Sequence, residues 1–447
     1  MWRSVLFAAT AAATATNALA SDAPSHQDVL WLDRITYGPT TATMARYLKL
    51  GRRRFLDEQL HPHDPQLPPA VAAQIDALEI SHSDAAQLLT YVHRQQQRIN
   101  ALSDGPGKQG ARKALNDQGN HLAYESARRE LLRAIYSPAR LQEQVVSFWL
   151  NHFSVFQYKA NDAWLVGDYP ERAIRPHALG HFRDLVMATL THPAMLQYLD
   201  NAQNAAAHLN ENYARELMEL HTLGVDSGYT QQDIQELARI LTGVGINASG
   251  NTPKLKPQWQ SLYRRDGAFE FNPARHDFGS KVLLGQHIEG SGFHEIEQAV
   301  DLLVAQPACA QFVARQLATY FVADDPPRAL VQHMARTFRK TRGDIVEVLT
   351  TMFESREFQA SLGDKFKDPM HYVVSTLRLA YDGKPIQNTH PVLNWLNALG
   401  EPPFGRQTPD GYPLTETGWA SSGQLSRRFE IARAIGSGNA GLFEPED

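Results

Sequence analysis

Asn212, Arg215, Glu216, Glu219 and Thr222 lie in one short run, Asn210 to Gly224 (NENYARELMELHTLG), with an Asn start signal and a Gly stop signal. At about 100° per residue these five fall on one arc of a helix. Glu216 and Glu219 on that arc form a carboxylate pair of the kind that binds a divalent metal or serves as acid and base. The bland reading is a solvated charged face, with Arg215 paired to Glu219 four residues on. His221 falls on the opposite, apolar arc, where a core histidine is the expectation.

Two further segments carry chemistry. His152 sits in FWLNHFSVF (148–156), apolar on nearly all sides, so a buried imidazole is expected. Such a ring needs a partner, because an orphaned buried polar group costs about 1–3 kcal/mol. A backbone carbonyl, a carboxylate or a metal would serve. In NPARHDFGSK (272–281), His276, Asp277 and Lys281 place acid–base, anchoring and cationic groups on one loop. The alternative there is an Asp-assisted turn, with Lys281 starting a strand. The candidate catalytic set is therefore His152, Glu216, Glu219 and His276. The candidate substrate-binding set is Asn212, Arg215, Asp277 and Lys281, and one cleft is expected to gather them. No cofactor is assigned, a divalent metal being one option. Weaker signals are Lys365 and Lys367 before a helix start at Asp368-Pro369, and Asp410 to Pro413 with Trp419, a loop that could cover a groove. Walker, GxSxG, HExxH and dinucleotide motifs are absent. Cys309 is the only cysteine, which excludes cysteine-rich zinc sites.

Helices must position these groups. Start signals recur at Ser137-Pro138, Thr230 with Asp233, Asp344 with Glu347, and Asp368-Pro369. Apolar residues recur at helical spacing over 345–353 and 300–321. The fold class is mostly α, a single large helical domain over 21–440. It carries an irregular insertion at 243–292, where Asp266-Gly267 between alternating residues predicts a β-hairpin. Residues 100–120, rich in Gly, Asn, Asp and Lys, read as a mobile loop. A last helix is expected from about Ser422 to Ile435.

Residues 1–20 have the pattern of a cleaved leader: Arg3, a short apolar run and Ala18-Leu19-Ala20 before Ser21. The expected location is periplasmic or secreted. No later stretch predicts a membrane-spanning helix. The chain holds 43 basic and 48 acidic residues, a net of −5, so nothing drives it toward nucleic acid.

On these residues the chain resembles the bacterial family known as domain of unknown function 1800. The resembling segments are Arg34 to Pro39, Trp149 to Phe153, Asn210 to Gly224, Tyr229 to Asp233, Ala238 to Gly243, His276 to Lys281, Lys365 to Pro369 and Pro409 to Pro413. Where family members often read Thr-Gly-Trp, this chain has Thr242-Gly243-Val244. The resemblance implies an exported, largely helical protein. It also implies a partner, a co-encoded exported protein of the domain of unknown function 1501 family, which looks like the phosphatase and sulfatase superfamily. It supplies no catalytic residues. Two function classes stand: a hydrolase or ligand-binding protein with a His/Glu/Asn cleft, and a non-catalytic scaffold for that partner.

Overall fold

The computed structural model describes residues 24–446, so the leader-like segment lies outside the described residues. Helices make up 61% of the described residues and strands 4%, in agreement with the mostly α expectation. Thr230 and Asp233 form a reciprocal capping box, and Asp368 Oδ1 accepts the His371 N–H at the start of Pro369–Tyr381. Asp344 caps Ile345–Phe353. The 300–321 segment is two helices, Phe293–Ala305 and Pro307–Phe321, broken at Pro307. Ser137-Pro138 does not start a helix: Ser137 ends Pro106–Tyr136 and its Oγ accepts from Ala139 N (3.2 Å). The last helix is Ser422–Ser437.

The expected mobile loop at 100–120 is a correction. Residues 106–120 are the first half of the helix Pro106–Tyr136. Its polar half is exposed, whereas its second half buries Leu122, Leu131, Leu132 and Ile135. Helix nucleation is the costly step, and the buried half supplies it. Pro106 at the first turn and a Lys113–Asp117 pair (2.6 Å) then carry the polar half. Gly119 reflects packing rather than flexibility, since a Cβ there would meet the Trp164 indole nitrogen at 2.6 Å.

The insertion forms two small antiparallel sheets. In one, Phe269–Phe271 lies between Val244–Ile246 and Arg264–Asp266; in the other, Lys281–Leu283 pairs with Gln286–Ile288. The predicted hairpin is present. Its register joins Asp266 to Phe269, so the turn is Gly267-Ala268, one residue later than the Asp-Gly cue, with Gly267 at φ 56°.

Two large apolar clusters fill the body. One gathers residues from Trp31 to Phe358, including Val146 and Val155, with Leu150 and Phe404 packed against it. The other joins Ala134 and its neighbours to the C-terminal helices, with Met370 packed against it. Helix Arg140–His152 and the 401–414 loop run where the two meet. No helix among the described residues is long and apolar enough to cross a membrane.

Candidate functional site

The Asn210–Gly224 run is a helix with a change of pitch. Asn210 Oδ1 accepts the Asn212 N–H (2.9 Å), and an α-turn over Asn212–Glu216 widens into a π-helix over Leu217–Thr222. Thr222 Oγ1 reaches Leu217 O (2.6 Å) and Leu223 N reaches Met218 O (2.8 Å), both five residues back. The wider turn rotates the end of the helix, so Thr222, expected on the polar arc, is fully buried. Arg215 bonds Glu219 (3.3 Å), Glu211 (3.4 Å) and Gln231 (2.9 Å). Asn212 Nδ2 donates to Leu199 O (3.1 Å). Glu216 is half-buried; burial raises its carboxyl, Glu219 and Asp410 push the same way, and Arg215 opposes them.

His221 is buried, as expected, with no partner for either ring nitrogen. His152 is buried too, and its Nε2 faces the His221 carbonyl oxygen at 3.0 Å. Burial pulls His152 down to about 4, so it is neutral at pH 7. Its Nε2 thus has a backbone carbonyl as partner, and no carboxylate of the described residues bonds the ring.

His276, Asp277 and Lys281 belong to a separate construction. His276 Nε2 faces Glu295 Oε1 (2.8 Å) and Nδ1 faces Thr242 O (2.7 Å). Thr242 Oγ1 also lies 3.2 Å from Nδ1, so both ring nitrogens are occupied by protein oxygens. Lys281 starts a strand and bonds Glu295 Oε2 and the Asp277 carbonyl. Glu295 also accepts from Ser291 N (2.8 Å) and Gly292 N (2.9 Å). The side chains of His276, Lys281 and Glu295 are 0% exposed. Asp277 pairs with Arg239 (2.8 Å) and turns the chain through Gly279 N (2.8 Å). The eight candidate residues thus fall into three groups, and the single gathering cleft expected from the sequence is not formed. Among the described residues no group of three or more His, Cys, Asp or Glu is placed to hold a metal ion.

A cavity does exist where the two apolar clusters meet, and most of its chemistry comes from other residues. It has a volume of about 90 Å³, with Val146, Leu150, Val155, Met370 and Phe404 as apolar wall. Space for one water takes about 10–15 Å³ on this scale, so the cavity holds several waters or a small organic group. Its polar wall is Glu130, Glu143, Ser147, Asn151, Glu401 and Tyr412. Glu143, Ser147 and Asn151 come from one helix at four-residue spacing, a polar stripe on one face. That stripe is the sequence signal that finds this site. Glu401 precedes Pro402-Pro403, whose rings stiffen the strap over the cavity.

Hydrogen bonds fix the strap to the body. Asn151 and Tyr412 exchange two bonds, Asn151 Nδ2 to Tyr412 O (3.0 Å) and Tyr412 N to Asn151 Oδ1 (2.6 Å). Gly411 (φ 72°) lies so close that a Cβ would strike the Asn151 carbonyl. Gln157 N bonds Phe404 O (3.0 Å) and Tyr198 hydroxyl bonds Gln407 O (3.0 Å).

The carboxyls are held in unlike states. Glu401 Oε2 accepts the Met370 N–H (2.8 Å), two residues after the Asp368 cap of the same helix. Burial, followed by the nearby Asp368 charge, raises Glu401 well above the usual carboxylate range. Glu143 is raised by burial, but it pairs with Arg175, which Glu130 (2.6 Å) also holds. Burial alone would lower Arg175, yet Glu143, Glu130 and Glu171 together hold it firmly charged. We assign Glu143 as the ionised partner of Arg175 and Glu401 as neutral. Glu143 Oε1 and Glu401 Oε1 accept no hydrogen bond from the described residues.

A protein-family model described as "Protein of unknown function (DUF1800)" matches residues 30–445. No curated protein and no solved structure matches the chain.

Proposed function

We propose that this chain, which belongs to the DUF1800 family, binds a small organic ligand in the cavity beneath the 401–414 strap. One observation carries the reading: three carboxyl oxygens of the cavity wall, Glu130 Oε1, Glu143 Oε1 and Glu401 Oε1, accept no hydrogen bond from the described residues beside an apolar wall. Glu130 and Glu143 offer acceptors, and a neutral Glu401, whose Oε2 accepts from Met370, carries its proton on Oε1 as a donor; together they select a short apolar body bearing a hydroxyl or amine. A neutral Glu401 also offers a proton, so acid-assisted hydrolysis fits the same cavity. Binding is the firmer part, because no activated nucleophile faces Glu401 there.

Calorimetric titration of the protein with n-butylamine, n-butanol and butyrate tests this. The amine and alcohol are expected to bind and butyrate not, and Val146→Phe, which fills the cavity, should remove the binding. Butyrate binding as tightly as the amine, or amine binding unchanged in the filled variant, would sink the proposal.

The leader pattern of residues 1–20 adds export to the reading, so the ligand would be met in the periplasm or outside the cell. The scaffold alternative has one feature in its favour. Leu379, Leu425 and Phe429 are exposed on the adjoining helices Pro369–Tyr381 and Ser422–Ser437 and offer a protein partner an apolar face. Co-purification with the co-encoded domain of unknown function 1501 protein, lost in Phe429→Ser, would support that role. Failure of the two to associate at micromolar concentration would remove it.

A further inference from the structure

Across the N-terminus of helix Pro369–Tyr381 lies a second, smaller cavity of about 20 Å³. Arg34, Lys365, Lys367, Asp33, Asp368 and His371 supply its charged and titratable lining. Each charged group but one already has a partner. Lys365 bonds Asp324 and Leu414 O (2.6 Å). Lys367 bonds Asp33 (2.8 Å) and Ser375 (3.0 Å). Asp368 caps the helix at His371 N (2.6 Å). Arg34 is 9% exposed, and its guanidinium makes no hydrogen bond or ion pair with any described residue. Burial lowers it, and the charges of Asp33 and Asp364 offset only part of that cost. An arginine head with five donors and no acceptor is rare inside a protein unless something fills the gap.

We propose that this cavity is an anion site in which Arg34 seats one compact monovalent anion, a carboxylate head or a halide ion. The size sets the class. Room for one or two water-sized groups accommodates chloride or a carboxylate and is tight for a tetrahedral phosphate. The contacts agree, because Lys365 and Lys367 are each held by a carboxylate and Asp368 by the helix start, which leaves Arg34 as the one cation of the lining without a bonded partner. Arg34 itself is buried, which limits screening at its guanidinium, so one charge-assisted contact is worth more there than at the surface. This cavity and the one under the strap share no lining residue. The site therefore stands whether or not the ligand reading above holds.

The test is a thermal-unfolding titration of the protein with sodium formate and, separately, sodium chloride, at ionic strength fixed with a bulky sulfonate salt. A saturable rise in midpoint is expected with at least one anion. Formate saturating points to the head of an organic acid, and chloride alone saturating points to a free halide. In Arg34→Gln the apparent affinity should fall at least tenfold. Equal saturable binding in a folded Arg34→Gln chain, or none in the unaltered protein, would overturn the site. If that variant does not fold, a bromide-soaked crystal of the unaltered protein decides. Anomalous density against the Arg34 guanidinium supports the site; water alone there rejects it.

Discussion

The His276–Lys281–Glu295 cluster and the strap cavity are both built from buried titratable groups, and they are finished differently. In the cluster both imidazole nitrogens face acceptors, the ammonium has two oxygen partners, and the carboxylate takes four bonds. Nothing is left over for a ligand. In the cavity Glu143 and Glu401 each keep an unbonded oxygen beside open space. The residue types are alike in both places, so type alone does not separate a lock from a site. Unused hydrogen-bonding capacity next to a void does.

The strongest way to break this contrast is to cut the cluster. Glu295→Ala removes the common partner of Lys281 and His276 and strands an ammonium in a dry interior. A buried pair broken on one side typically costs about 3–5 kcal/mol. Urea unfolding should show that loss; a change under ~1 kcal/mol would mean the cluster is not the lock described here. Next comes pH. Burial lowers both His152 and His371 to about 4. The unfolded chain then binds more protons between about pH 6.5 and 4. Each ring contributes stability that is present above pH 6.5 and lost as pH falls toward 4, about 3 kcal/mol apiece. Burial lowers His221 as well, so with three such rings the acid slope of stability should fall by about a third in His371→Gln, and an unchanged slope would show that this ring is not buried neutral.

The helical body is legible in the sequence because apolar spacing and caps are local signals, as at Thr230 and Asp368. The two failures are instructive. Residues 106–120 look like a loop because a polar half-helix depends on a buried half many residues away. The Glu216 arc assumes a uniform pitch, and the π-turn at Leu217–Thr222 breaks that assumption without any marker in composition. Glu216, Glu219, His152 and His276 stand out by chemical type, whereas the cavity is made by Glu143 and Glu401, 258 positions apart. Only tertiary packing brings those together. Even so, Asn151 and Tyr412 lie in segments that the sequence singles out, and the loop expected to cover a groove does so.

Two smaller effects sharpen the comparison. Gly411→Ala sets a methyl against Asn151 and requires a left-handed backbone at a non-glycine residue. It should cost about 1–3 kcal/mol and loosen the strap. Faster hydrogen exchange over 401–414, with the rest of the chain unchanged, is the readout; unaltered protection there would show that the Asn151–Tyr412 pair does not hold the loop.

Glu401→Gln has the smallest expected effect on stability and the most diagnostic one on pH. The amide mimics the neutral carboxyl and can still accept from Met370 N, so at pH 4 its stability should match the native chain within about 0.5 kcal/mol. Because the folded pKa is raised, the native carboxyl's contribution is intact below about 4.5, the unfolded value, and is lost as pH climbs toward the folded one. The native chain should therefore lose stability across that range while the amide variant stays flatter and becomes the more stable of the two at pH 7. Parallel curves would mean that Glu401 is ionised in the fold. The wall would then carry the Glu401 charge beside Glu130 and Glu143, and the amine should bind more tightly than the alcohol.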